Sequence, residues 1–398
     1  MSRFRMYPTC AQQSALREQC AHARYVWNLA LEQWSMWRRD KGPTPNFAEQ
    51  CRQLTAARAA FDWLRAGSQT VQQQALRDFD HAVKNFYMGI HRRPTWRKAG
   101  RHEGFRIVGG QATRVVRHNR KWAAALVPKV GWVRFRLSRA IPVAKSYRIT
   151  CDALGQWHIA FAVIPPAIPG PGTGSVVGID RGIAVSAALS TGELLVCPGL
   201  SDSEEARLTR LQRRLARTTT KSKRHRSLRT AVARLTARAR NRRKDWIEKT
   251  STAIARRFDI VRVEDLHVSG MTRRPKPKPD PAHPDKFLSN RRRAKAALNR
   301  SILSSGWGAL VRRLEDKAGG RVEIVNPAYT SQTCSTCGHR APDSRESQAV
   351  FRCVNCGYQA NADVNAAVNI AAGRAARARR ETPPRISLKR EPQLATFP

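Results

Sequence analysis

A chain of 398 residues is long enough for two or three domains with sizeable cores. Its 73 lysines and arginines against 29 acidic residues leave a net charge of +44, which exceeds what solubility needs and points to a polyanionic partner. Basic residues run along nearly the whole length with Trp, Tyr and Phe between them. That favours extended contact with nucleic acid over one basic tail; ribosome-like or membrane-surface binding are the plainer alternatives. No apolar run approaches the ~20 residues of a membrane span. The start, MSRFRMYPTC, lacks the apolar stretch of a signal peptide, so the expected location is the cytoplasm. Nine cysteines, an odd number, suit a reducing compartment, and Cys10, Cys20, Cys51, Cys151 and Cys197 follow no spacing.

Residues 11–88 read as a small helical bundle interrupted by the KGPTPN turn at 41–46, with Leu16, Cys20, Ala23, Val26, Trp27 and Leu31 on one stripe. Gln72, Gln73 and Gln74 open a helix, either as a solvated face or as readers of base edges. From residue 92 to 164 the period changes to two, in segments such as GFRIVG, GWVRFRLS and WHIAFAVI, which predicts a small basic antiparallel barrel or sandwich. Residues 1–8 add a strand to it, making the bundle an insertion. PPAIPGPGTG at 165–174 is a linker.

SVVGID at 175–180 is a short buried strand ending at Asp180, and residues 183–189 form its hairpin partner. Residues 202–257 form an arginine-rich helical hairpin suited to a polyphosphate groove. A strand at 259–263 delivers Glu264 and Asp265. The Pro- and Lys-rich stretch 271–287 reads as a loop open to a lid role. A single helix is expected over 299–318, with Ile302, Trp307, Leu310, Val311 and Leu314 inward, then a strand at 322–325. Beyond residue 373 the composition predicts a disordered basic tail.

Residues 326–372 carry two kinds of chemistry. Cys334-Ser-Thr-Cys337 and Cys353-Val-Asn-Cys356 have the spacing of a four-thiolate zinc site, with Gly338 and Gly357 where the knuckles need positive φ; two disulfides or buried thiols are the alternatives. His339 reads as a knuckle residue, not a ligand. Asp363 sits in the first turn of a helix with Val364, Ala367, Val368 and Ala371 on its apolar stripe. Alone it is a helix-start carboxylate, as Asp180 alone is a turn residue. Taken together, Asp180 and Glu264 at strand ends and Asp363 on a helix are the oxygen ligands that a two-metal phosphodiester site requires.

VGIDRGI around Asp180, VRVEDLHV around Glu264, NPAYTSQTCSTCGHR and FRCVNCGYQANADVNAAVNI resemble the signature blocks of the TnpB proteins of bacterial insertion sequences and of the related miniature type V CRISPR nucleases. The resemblance covers residues 178–372 firmly, and the N-terminal half only in its layout of a helical insertion in a barrel. It implies a multidomain α/β protein with all-β and helical parts. A wedge-like β-barrel would comprise residues 1–10 and 92–172, a helical recognition domain 11–91, and a RuvC-like, RNase H-like nuclease domain 173–325 and 363–376. A zinc-ribbon element that handles target nucleic acid would comprise 326–362, and a basic tail 377–398.

It further implies an RNA-guided DNA endonuclease, with Asp180, Glu264 and Asp363 holding two Mg²⁺ and Cys334, Cys337, Cys353 and Cys356 holding structural Zn²⁺. The implied partners are one guide RNA per protein, from the transposon end, and target double-stranded DNA beside a short motif. No membrane is involved, and the protein would join the nucleoid when bound to DNA. A non-cutting RNA-guided regulator and a strand-transferring transposase are the alternatives; the presence of all three acids disfavours the former.

Overall fold

The computed structural model describes residues 2–36, 44–101, 103–281 and 283–373, so the expected tail and part of the KGPTPN turn lie outside the described residues. These divide into two compact units, drawn from residues 1–165 with 209–234 and from 166–208 with 235–398.

In the first unit, β1 (Ser2–Arg5) leads into α1 (Cys10–Ser35). A capping box sets the start of α1, with Thr9 N donating to Gln12 Oε1 at 3.1 Å and Gln12 N to Thr9 Oγ1 at 3.3 Å. Helices α2 (Phe47–Ala60), α3 (Asp62–Ala66) and α4 (Gln69–Tyr87) follow, and α1 packs on α4 through the expected stripe. Gln72 departs from the expectation. It is fully buried, donating to Leu64 O at 2.8 Å, and so is neither a solvated residue nor a reader of bases.

Strands β2 (Gly104–Val108), β3 (Val115–Arg117), β4 (Trp122–Val127), β5 (Gly131–Arg136), β6 (Ser146–Cys151) and β7 (Trp157–Phe161) form two antiparallel sheets, β1-β7-β6-β2 and β3-β4-β5. The helices are thus an excursion between two strands of one sheet. Alternation turns Val133 and Phe135 inward and leaves Trp132, Arg134 and Arg136 outside. Phe4, Phe135 and Phe161, from both sheets, meet with ring centroids 5.5 to 6.0 Å apart.

The second unit is built on a five-stranded mixed sheet. Along the rest of the chain come β8 (Val176–Asp180), β9 (Ala187–Leu189), β10 (Leu194–Leu195), α5 (Asp202–Ala216), α6 (Lys223–Arg257), β11 (Ile260–Glu264), α7 (Val268–Met271), β12 (Lys278–Asp280), β13 (His283–Leu288), α8 (Arg292–Ser305), α9 (Trp307–Ala318), β14 (Val322–Val325), β15 (Val350–Arg352), β16 (Gln359–Asn361) and α10 (Ala362–Ala371), with residues 209–234 of α5 and α6 and the turn between them counted in the first unit. The strand order is β10-β9-β8-β11-β14, antiparallel through β8 and parallel from β8 to β14. One face buries Val177, Ile179, Val261 and Val263 against Ile254 of α6, Phe258 just after it, and Leu310 and Leu314 of α9. Period-two alternation then commits Gly178, Asp180, Arg262 and Glu264 to the opposite face, which α10 covers.

Two further expectations need correction. The helix over 299–318 is two, because Gly306 at φ 79° is left-handed and separates α8 from α9. The 271–287 loop contains a hairpin, with Lys278 paired to Leu288 and Pro279 to Phe287. Among the described residues, no helix is long and apolar enough to cross a membrane.

Candidate functional site

Asp180 ends β8 and Glu264 ends β11, and the parallel register that pairs Ile179 with Val263 brings the two carboxyls level on one face. Asp363 enters from α10, whose start is capped by Asn361 Oδ1 accepting from the main-chain nitrogens of Asp363 (3.0 Å) and Val364 (3.2 Å). Burial, then the charges of Glu264 and Asp363, push the Asp180 carboxyl up to about 7. Burial also raises Glu264, opposed by the Thr330 hydroxyl donating to its Oε1 at 2.9 Å and by the charge of Arg181. Asp363 is raised by burial and held back by Arg345, whose Nη2 lies 3.4 Å from its Oδ1. Asp180 thus carries the repulsion of two neighbouring acids while Arg181 and Arg345 offset Glu264 and Asp363, and an all-carboxylate donor set suits a hard divalent ion.

Four residues around these acids were not assigned to the site from the sequence, although Trp307 was expected to face inward. Arg181 is buried and donates from Nη2 to Glu264 O, tying the end of β8 to that of β11. Trp307 Nε1 donates to Gly182 O at 3.0 Å, holding the turn after Asp180. Thr330 and Arg345 come from the segment between β14 and α10, far in sequence from the acids they touch.

The four thiols lie within 4.8 Å of one another. Cys334 Sγ to Cys356 Sγ is 3.8 Å and Cys337 Sγ to Cys353 Sγ is 3.6 Å. These separations exclude disulfides and match the ~3.8 Å edge of a tetrahedron with ~2.3 Å zinc–sulfur bonds. Both knuckles repeat one pattern. Cys334 N donates to His339 O and Cys353 N to Tyr358 O, each at 2.9 Å, while Gly338 N and Gly357 N donate back to Cys334 O and Cys353 O at 3.0 Å. Gly338 and Gly357 take the expected positive φ, 76° and 72°. His339 enters through its carbonyl.

Helix α10 joins the two centres. Of the expected stripe only Ala367 is buried, while Val364, Val368 and Ala371 are half-buried; the rest of the buried face is Ala362, Asn365, Ala366, Asn369 and Ile370. Asn365 Nδ2 donates to Thr333 O at 2.8 Å and its Oδ1 accepts from Ser335 N at 2.9 Å. Asn369 Nδ2 reaches Thr330 O at 3.0 Å and Thr333 O at 2.7 Å. Asn361, Asn365 and Asn369 recur every four residues, a polar line on an apolar helix that was readable in advance. The apolar cavity of about 360 Å³ beside Leu29, Leu54, Phe61 and Trp63 lies among helices of the first unit and holds no acid or thiol.

Comparison with known proteins gives a consistent picture. Residues 307–370 match the family described as "Cas12f1-like, TNB domain", 158–274 that described as "Probable transposase" and 2–42 a "Helix-turn-helix domain". InsQ of Escherichia coli (strain K12), which bears the name "Putative RNA-guided DNA endonuclease", is 33% identical over 384 residues, 94% of this chain and 92% of its own. A TnpB-like protein of Methanocaldococcus jannaschii is 33% identical over 126 residues, 31% of this chain and 25% of that one. In fold, the chain is similar to Cas12f1 as seen by cryo-EM in complex with sgRNA and target DNA, with a TM-score of 0.54, 15% identity and coverage of 89% and 81%. With a full-length relative at this identity, and matching blocks at both ends, the chain belongs to the TnpB family, to which the miniature type V CRISPR nucleases are related.

Proposed function

We infer that this protein is an RNA-guided DNA endonuclease of the transposon-associated kind. The observation that carries the reading is the convergence of Asp180, Glu264 and Asp363, from three separate elements, on one side of a mixed sheet. That sheet is a RuvC-type, RNase H-like nuclease core, formed by residues 173–325 and 363–376. Residues 326–362 are its zinc ribbon, residues 1–10 and 92–172 a wedge barrel, and 11–91 a recognition bundle. A guide RNA from the transposon end, one per protein, directs the enzyme to double-stranded DNA beside a short motif. Base pairing then carries sequence choice and the protein holds the backbone. Exposed Arg210, Arg213, Arg214, Arg224, Arg229 and Arg240 on α5 and α6 suit that work.

Asp180, Glu264 and Asp363 would hold two Mg²⁺, and the four cysteines one Zn²⁺. Bound there, Mg²⁺ would supply Lewis-acid stabilisation of the phosphodiester and of the attacking oxygen. The protein's own contribution is orientation. Thr330 aims Glu264, Arg181 fixes the strand end behind it, and Arg345 places positive charge beside Asp363, where phosphate would arrive.

Asp180→Ala and Asp363→Ala, each purified with guide RNA, should bind target DNA normally and leave it uncut. Robust cutting by either variant would remove the triad. Wild-type occupancy without cut ends would favour a regulator, and joined transposon ends a transposase.

A further inference from the structure

Gly178 stands two residues before Asp180, on the face of β8 that α10 covers. A Cβ built there would lie 2.0 Å from the carbonyl oxygen of Ala367, 2.4 Å from the nitrogen of Ala371 and 3.0 Å from its Cα. All three are main-chain atoms, so no rotamer change makes room; α10 itself would have to retreat by about 1 Å. Gly178 is not among the positive-φ residues, so the position requires the missing side chain and not an unusual backbone. Ala367 is about one helical turn beyond Asp363, and a shift of the helix carries the acid with it.

A second contact holds the other end. Arg262 is paired with Gly178 in the parallel register, and from β11 it donates through Nη1 to Ala371 O and through Nε to Glu323 Oε2 at 2.8 Å. A guanidinium there satisfies an end carbonyl and suits the negative end of the helix dipole.

We propose that Gly178 and Arg262 are positioning residues of the nuclease: the bare Cα lets α10 seat directly on β8, the guanidinium holds its carboxyl end, and together they set where Asp363 stands relative to Asp180 and Glu264. The proposal rests on those three acids acting together. The test uses the guide-RNA complex and Mn²⁺ uptake followed by electron paramagnetic resonance, with the Asp363→Ala complex as baseline for ions held by RNA.

Gly178→Ala should weaken the acid-dependent Mn²⁺ binding about 10- to 100-fold, the scale seen when the groups that orient a metal's ligands are lost, and raise the half-saturating Mg²⁺ for cleavage in parallel. Zinc content and target-DNA affinity should stay unchanged. Arg262→Met should act in the same direction and Arg262→Lys should recover part of the loss; this pair decides the matter if Gly178→Ala does not bind guide RNA. Mn²⁺ binding and Mg²⁺ dependence indistinguishable from wild type, with Asp363→Ala inactive, would overturn the positioning role and leave the triad standing. Cleavage by Asp363→Ala would instead overturn the triad, and this proposal with it.

Discussion

Replacing Thr330 by valine removes one hydroxyl and almost no volume from a buried site. The hydroxyl lies 2.9 Å from Glu264 Oε1 and 3.2 Å from Pro327 O, so its single proton is shared, with the carboxylate as the nearer acceptor. A hydrogen bond to a charged group contributes about 1.5 to 3 kcal/mol, and sharing places this one at the low end. Burial already raises Glu264, and losing this donor favours its protonated form further. At subsaturating Mg²⁺ the expected loss is therefore about 10-fold, since ~1.4 kcal/mol is tenfold, and high Mg²⁺ should restore most of it. The main-chain carbonyl of Thr330, which receives Asn369, is untouched, so guide-RNA and target binding should persist. Single-turnover cleavage measured against Mg²⁺ concentration for wild type, Thr330→Val and Thr330→Ser makes the comparison. Serine should recover most of the loss. A Thr330→Val curve superimposed on wild type, or a serine variant as impaired as the valine one, would refute the assigned role.

Two further expectations concern pH and zinc. Because the Asp180 carboxyl is raised to about 7, its protonated form favours the fold; without divalent ions this contribution is complete below the usual carboxylate range and fades as pH rises through 7. Metal binding has the opposite sense: half-saturating Mg²⁺ should rise about 10-fold per pH unit below 7 and level off above it, and a flat profile would contradict the buried acid cluster. The four-cysteine element has a small core, with Cys334, Phe351, Cys353 and Ala362 buried and Tyr358 packed against them, too little to stand without metal. Native protein should carry about one zinc per chain by elemental analysis. Chelation should expose residues 327–361 to protease and abolish cleavage, because Asn365, Asn369 and Thr330 tie that element to the acids. Full activity of zinc-free protein would count against this link.

Much of the site was legible because its chemistry is local. A CxxC pair needs only a short turn to bring two sulfurs to one ion, so spacing alone identifies Cys334, Cys337, Cys353 and Cys356. Asp180 and Glu264 were visible because short apolar runs deliver them to strand ends, which is a one-dimensional pattern. Thr330 and Arg345 were not visible, since 66 residues separate Thr330 from Glu264 and 18 separate Arg345 from Asp363, and nothing in a polar turn marks which side chain will reach back. The α10 stripe was misread for a related reason: its inward face is partly amide, satisfied by carbonyls of a distant loop, and periodicity counts amides as solvent-facing.

Composition, the cysteine spacing and the strand-end acids were therefore settled by the chain itself, as each depends on residues within a turn or a strand of one another. The pairing of β8 with β11, the seating of α10 over Gly178 and the clustering of three repelling carboxylates were decided only by the tertiary structure. The reason is energetic. Three acids are held together against their own repulsion by the apolar face of the sheet beneath them, and that face exists only after strands some 80 residues apart have paired.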